Sequence, residues 1–164
     1  MYLKEYYRYF ETSLQTIYSP GESAAITRTI FERLVNINKS DLLLHPNRVI
    51  EPLNLEKLDT SLSKLMDHCP VQYITREAWF YRLRFNVSES VLIPRPETEE
   101  LVTQALAIIG NREPFHVLDI GCGSGCIPIA IKKNNPATTV TAIDVSADAL
   151  SIARHNATWH ECEI

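Results

Sequence analysis

The residues best suited to chemistry are a glycine-rich run, Asp119-Ile120-Gly121-Cys122-Gly123-Ser124-Gly125, and a carboxylate about one structural unit later, Asp144. The run stands where an apolar strand should end and a helix begin, so its backbone N–H groups and the helix dipole favour a negative or strongly polar ligand. Glycines let such a ligand approach the backbone closely. Asp144 ends the next apolar run, where a carboxylate can accept hydrogen bonds from both hydroxyls of a ribose. Gly121, Cys122, Gly123, Ser124, Gly125 and Asp144 are therefore the candidate ligand-binding residues. The pattern admits either a dinucleotide, with its pyrophosphate at the loop, or a nucleoside with an amino-acid tail. Cys126 takes the last position of a GxGxxG fingerprint, a position that tolerates another small residue, so spacing alone does not decide between them. The simpler alternative is a tight turn at the glycines and a helix cap at Asp144.

Two strands and two helices must position this loop. Residues 116–120 and 140–144 read as strands, with a helix over about 125–134 between them. Such a βαβ unit favours parallel strands and a right-handed crossover. Ser146 is placed to cap a last helix carrying Leu150, Ala153 and Ala157. Upstream, Pro94-Arg95-Pro96-Glu97 presets an extended turn that opens into a helix with Leu101, Val102, Ala105 and Leu106. Before it the hydrophobic period is two: Trp79, Tyr81, Leu83, Phe85 and Val87 alternate with more polar positions, as in a half-buried strand.

Residues 1–70 have the helical period instead. Leu3, Tyr6, Tyr7, Phe10, Leu14 and Ile17 share one face. Ser19-Pro20-Gly21-Glu22 has the order of a capping box with proline at the first helical position, and Ile26, Ile30 and Leu34 follow. A short helix over 40–44 should stop at His45-Pro46. Asn54 is expected to cap a further helix with Leu55, Leu58, Leu62 and Leu65 on its buried face. Nothing in this bundle has a catalytic pattern.

The bulk properties narrow the classes. The chain has 164 residues, 45% hydrophobic and 22% charged, which suits one large or two small packed domains. A net charge of −4 argues against a globally basic nucleic-acid binder. Tyr2, Tyr6, Tyr7 and Tyr9 suggest a base-stacking platform, but Tyr6 and Tyr7 fall on the apolar stripe and read as core. Cys69, Cys122, Cys126 and Cys162 have neither zinc-finger nor disulfide-framework spacing, so no metal is expected and a reducing cytoplasm is the simplest home. Neither a signal-peptide core nor a run of about 20 apolar residues is found.

Four segments together resemble one family. Residues 117–125 resemble motif I of class I methyltransferases, and Ala142-Ile143-Asp144-Val145-Ser146 their second motif. Val91-Leu92-Ile93-Pro94-Arg95-Pro96-Glu97-Thr98-Glu99 resembles the LIPRPETE signature of the PrmC/HemK glutamine methyltransferases. Pro70-Val71-Gln72-Tyr73-Ile74 resembles the P-x-Q-Y-I segment that begins the family's hairpin. Arg76 and Arg82 depart from it, because the family usually has glycine at both places.

The resemblance implies an α + α/β fold: a helical bundle (1–70) that docks release factors, a β-hairpin linker (71–93), and the first part of a Rossmann-like class I methyltransferase domain (94–164). It implies S-adenosyl-L-methionine as cofactor, peptide chain release factors as protein substrates, a monomer, and no membrane or direct nucleic-acid partner. In the family an Asn-Pro-Pro-Tyr loop holds the substrate glutamine amide. An amide nitrogen is a poor nucleophile, so placement matters, and orientation of this kind contributes about 7–11 kcal/mol. Here Asn135-Pro136 is followed by Ala137, so no catalytic residue is assigned. The expectation is an incomplete domain with one uncovered apolar sheet face, unable by itself to methylate glutamine; tritium transfer to a release factor by the isolated chain would refute it. The competing readings are an adenine amino-methyltransferase and a non-catalytic module that only binds release factors.

Overall fold

The computed structural model describes residues 1–110 and 115–164. They form two compact units, Met1–Thr75 and Arg76–Ile164.

The first unit is all helical: α1 (Leu3–Leu14), α2 (Pro20–Leu34), α3 (Lys39–Leu44), α4 (Pro52–Met66) and α5 (Val71–Thr75). The expected stripe of α1 buries Leu3, Tyr6, Phe10 and Leu14. Ile17 falls beyond its end, in a turn where the Ile17 N–H donates to the Leu14 carbonyl. Ser19 and Glu22 make the reciprocal capping box at α2, with Pro20 at its start. A second capping box, Asn38 with Asp41, starts α3 one residue before the anticipated position. Asn54 is not a cap: Pro52 opens α4 two residues earlier, and its fixed φ suits the first helical position.

Phe31 of α2 packs edge-on against Phe10 at 5.5 Å and Tyr7 at 4.8 Å, and Leu58, Leu62 and Leu65 of α4 complete the core. The Tyr6 ring is 2% exposed and its hydroxyl donates to Asp59 at 2.5 Å, which removes it from any stacking platform. Residues 71–75, where the resemblance put the beginning of a hairpin, are helical and belong to the first unit.

The second unit begins with an antiparallel hairpin, β1 (Glu77–Phe80) and β2 (Leu83–Asn86). A continuous strand over 79–87 is therefore not formed. The chain reverses at Tyr81 and Arg82, both with positive φ (49° and 62°), the requirement of a two-residue type I′ turn. That turn changes the parity of the alternation: Ala78 and Phe80 on β1 face inward with Phe85, while Trp79 is 61% exposed. The Glu99 carboxylate accepts the Tyr81 N–H at 2.9 Å, so the first turn of α6 (Thr98–Ile109) secures the hairpin tip.

The βαβ unit follows: β3 (His116–Ile120), α7 (Cys126–Asn134) and β4 (Thr139–Ile143), then α8 (Ala147–Trp159). β3 and β4 are parallel, with Val117 opposite Val140 and Asp119 opposite Ala142. Pro128 is tolerated in α7 because it sits in the first turn, where no helical partner is needed. Phe80, Phe85, Val102, Ile129, Ile131, Val140 and Ala157 are buried in one core. On the other face of the sheet Leu118, Ile120 and Ile143 are exposed, Ile120 by 74%, as expected for an uncovered apolar face. Among the described residues no helix is long and apolar enough to cross a membrane.

Candidate functional site

The sheet register creates the site. Because β3 and β4 run parallel and in step, the loop after Ile120 and the carboxylate after Ile143 emerge at the same edge. The N–H groups of Gly121 and Cys122 both donate to the Ile143 carbonyl, at 2.8 and 3.1 Å, so the loop continues the ladder for one step before it turns. The Gly123 N–H then donates to Asp144 Oδ2 at 2.9 Å, and the Gly125 N–H closes back on the Cys122 carbonyl at 2.8 Å. Five of the six candidate residues thus form one hydrogen-bonded turn, and the sixth, Asp144, is bonded to it from the end of β4.

Three glycines there have positive φ: Gly121 (80°), Gly123 (53°) and Gly125 (77°). Their reasons differ. A Cβ on Gly121 or Gly123 would meet no atom within 4 Å, so the space above them is open for a ligand. A Cβ on Gly125 would stand 3.2 Å from Ala153 Cβ and 3.3 Å from Ile129 Cδ1, so this glycine lets α7 and α8 approach.

Asp144 does more than the sequence suggests. Besides holding Gly123, its Oδ1 accepts the Ser146 N–H at 2.9 Å, and Ser146 in turn caps α8 by accepting the Ala149 N–H. These backbone donors, Ser146 first, hold the Asp144 carboxyl below the usual carboxylate range. Each oxygen keeps a second lone-pair direction for an external donor.

Asp119 was not among the candidates and is the most unusual group in the site. It is partly buried, its Oδ2 is shielded from solvent, and that oxygen has no hydrogen-bond partner. Burial, and then the nearby negative charge of Asp144, raise its carboxyl above the ordinary value. The signal was present: an acid inside the apolar strand Val117-Leu118-Asp119-Ile120 has a cost that packing does not explain.

The Cys122 and Cys126 thiols are buried, and burial pushes both up, Cys126 to about 11. Neutral thiols of this kind act as small packing groups and not as nucleophiles or metal ligands. Among the described residues no three His, Cys, Asp or Glu side chains come together to hold a metal ion.

An open backbone above two glycines, a half-buried carboxylate at the strand edge and an orphaned buried carboxylate oxygen suit a polar nucleoside with a cationic group. A pyrophosphate would instead place its charge near Asp119 and Asp144, and among the described residues no lysine or arginine is hydrogen-bonded to the loop to compensate.

Comparison with known proteins places the chain among methyltransferases. Residues 5–75 match the PrmC N-terminal domain and residues 100–164 the methyltransferase small domain. The release factor glutamine methyltransferase of Flavobacterium psychrophilum is 39% identical over the whole chain, which covers 59% of that relative. Its counterpart in Bacteroides thetaiotaomicron is 38% identical over 90% of the chain and 52% of the relative. In Streptococcus pneumoniae the counterpart is 41% identical over 84% of the chain and 49% of the relative. The chain spans about half the length of the curated relatives it matches. With both halves matched and the glycine loop on the methyltransferase side, the chain belongs to the PrmC/HemK family of release factor glutamine methyltransferases.

Proposed function

We propose that the protein serves S-adenosylmethionine-dependent methylation of the glutamine side-chain amide in peptide chain release factors, and that Arg76–Ile164 supplies the cofactor cradle. The observation that carries this reading is the pair of half-buried carboxylates at one strand edge, Asp144 hydrogen-bonded to backbone and Asp119 with a buried, unpartnered oxygen. Asp144 would accept the ribose hydroxyls, and Asp119 would neutralise the ammonium group of the amino-acid tail. Gly121, Cys122, Gly123, Ser124 and Gly125 would line the tail with backbone. The cofactor would supply an electrophilic methyl group on a sulfonium sulfur.

Residues 1–70 are read as the release-factor-docking domain, 71–93 as the linker and 94–164 as the methyltransferase portion. The protein is read as a cytoplasmic monomer. Burial of Tyr6 in the helical core weighs against the nucleic-acid alternative.

Titration calorimetry of the 164-residue chain tests the cofactor assignment. S-adenosylhomocysteine should bind, and NAD should bind at least about tenfold more weakly, a difference of roughly 1.4 kcal/mol. Equal affinity for the two ligands would overturn the reading.

A further inference from the structure

The side chain of Asn156 lies outside the strand-edge site but is bonded to it. It is wholly buried in α8, and all of its hydrogen bonds go to backbone from two distant segments. Oδ1 accepts the Asn86 N–H at 2.8 Å, and Nδ2 donates to the Asn86 carbonyl at 2.9 Å. The amide thereby pairs with the end of β2 as a neighbouring strand would. The remaining Nδ2 hydrogen goes to the Ser124 carbonyl, also at 2.9 Å.

That last bond reaches the glycine loop at a decisive place. The peptide plane between Ser124 and Gly125 has its N–H on the Cys122 carbonyl and its C=O on Asn156. Since a peptide unit is planar, holding both ends fixes its orientation, and with it the left-handed turn at Gly125 that starts α7. Without Asn156 the Ser124 carbonyl would lose its partner, and the glycine on one side of the plane, Gly125, would let it rotate at less steric cost than another residue would.

We infer that Asn156 is a positioning residue for the cofactor loop, and that through it the hairpin strand β2 and the Ser124–Gly125 peptide are held as one unit. The inference rests on the cofactor reading given above. No other side chain hydrogen-bonds the Ser124 carbonyl among the described residues, whereas β2 has further anchors on α8 and just beyond it. His160 Nε2 is 2.7 Å from the Arg84 carbonyl, and the Arg84 guanidinium lies 4.5 Å from the centre of the Trp159 ring. Loss of Asn156 therefore leaves β2 with other anchors but leaves the Ser124 carbonyl with no side-chain partner among the described residues.

The test is Asn156→Asp, which keeps the acceptor for the Asn86 N–H but, when ionised, can donate neither to the Ser124 carbonyl nor to the Asn86 carbonyl. Amide hydrogen exchange on the 164-residue chain should accelerate at Gly125 by about tenfold, the size of one lost buried hydrogen bond. Ladder amides between β3 and β4 should keep their wild-type rates. Asn156→Ser, with one hydroxyl donor and no buried charge, gives the same reading in milder form if the aspartate variant fails to fold. S-adenosylhomocysteine affinity should fall by a similar factor in both variants, whereas Val102→Ala, a core change in α6, should lower stability and leave affinity alone. Unchanged exchange at Gly125, or equal acceleration across the whole second unit, would overturn the inference. A wild-type chain that binds no S-adenosylhomocysteine would sink the cofactor reading and leave the exchange result to decide Asn156 on its own.

Discussion

The two units solve different problems with similar amounts of chain. Met1–Thr75 closes its core around Phe10, Phe31 and Leu58, caps two helices with complete capping boxes, and gives its most buried tyrosine a carboxylate partner. Arg76–Ile164 instead holds three left-handed glycines in one turn, leaves an oxygen of Asp119 unpartnered, and exposes Leu118, Ile120 and Ile143. The first unit has departures of its own, with Asn36 and His68 at positive φ and the buried hydroxyls of Ser23 and Thr27 unpartnered, but among the described residues only the second unit buries an unpartnered carboxylate oxygen. An unpaired acid beside an open glycine turn is a costlier conflict than an unpaired hydroxyl, and it is the physical mark of a site.

That contrast can be broken most severely in the scaffold. Phe31→Ala removes a ring that is fully buried and touches three other aromatics, and it should cost about 3–5 kcal/mol, read from the denaturant midpoint of the first unit. A loss under about 1 kcal/mol would mean that the helices close around something else. In the second unit Gly125→Ala combines a left-handed backbone with a 3.2 Å contact to Ala153, and a loss of about 2 kcal/mol is expected. Gly123→Ala has only the backbone penalty, about 1 kcal/mol, and should lower ligand affinity more than it lowers stability. If both variants lost stability equally, the distinction between a packing glycine and a ligand glycine would fail.

The two carboxylates give opposite pH dependences. Asp119 is raised in the folded state, so folding takes up protons between the ordinary carboxylate value and its raised one, and stability falls as pH rises through that window. Asp144 is lowered, so its contribution is present above the ordinary value and is lost as pH falls through its folded one. Asp119→Asn should therefore raise stability at neutral pH and flatten the decline, as followed by denaturant midpoints across the acid range, while weakening S-adenosylhomocysteine binding. A stability gain without any loss of affinity would remove Asp119 from the cofactor site.

How legible this was follows from the range of the interactions involved. The helices of the first unit were readable because i to i+4 stripes and the Ser19–Glu22 box are local. The loop and Asp144 were readable because strand ends and glycines are sequence features, although the bond from Asp144 to the Gly123 amide was not foreseen. The hairpin was legible only through the family resemblance: by periodicity residues 79–87 read as one strand, because the turn has Tyr81 and Arg82 in place of the asparagine or glycine that announces one. Asn156 was invisible: it is an ordinary polar residue in a helix until segments 32 and 70 residues away arrive beside it.

The smallest effect concerns that hairpin and returns to the contrast between units. Arg76 and Arg82 stand where the family usually has glycine, yet their φ values of 58° and 62° keep the left-handed backbone that glycine adopts without strain. The backbone is kept because its hydrogen bonds require it: the Arg76 carbonyl accepts the Val87 N–H at 3.2 Å, and Glu99 holds the Tyr81 amide at the turn. Arg82→Gly should relieve about 1 kcal/mol of left-handed strain and lose roughly half of that to the greater freedom of the unfolded chain. The expected result is a gain of about 0.5 kcal/mol in the denaturant midpoint of the second unit, with ligand affinity unchanged. A loss of stability would mean that the arginine side chain supplies contacts worth more than the left-handed strain at this turn.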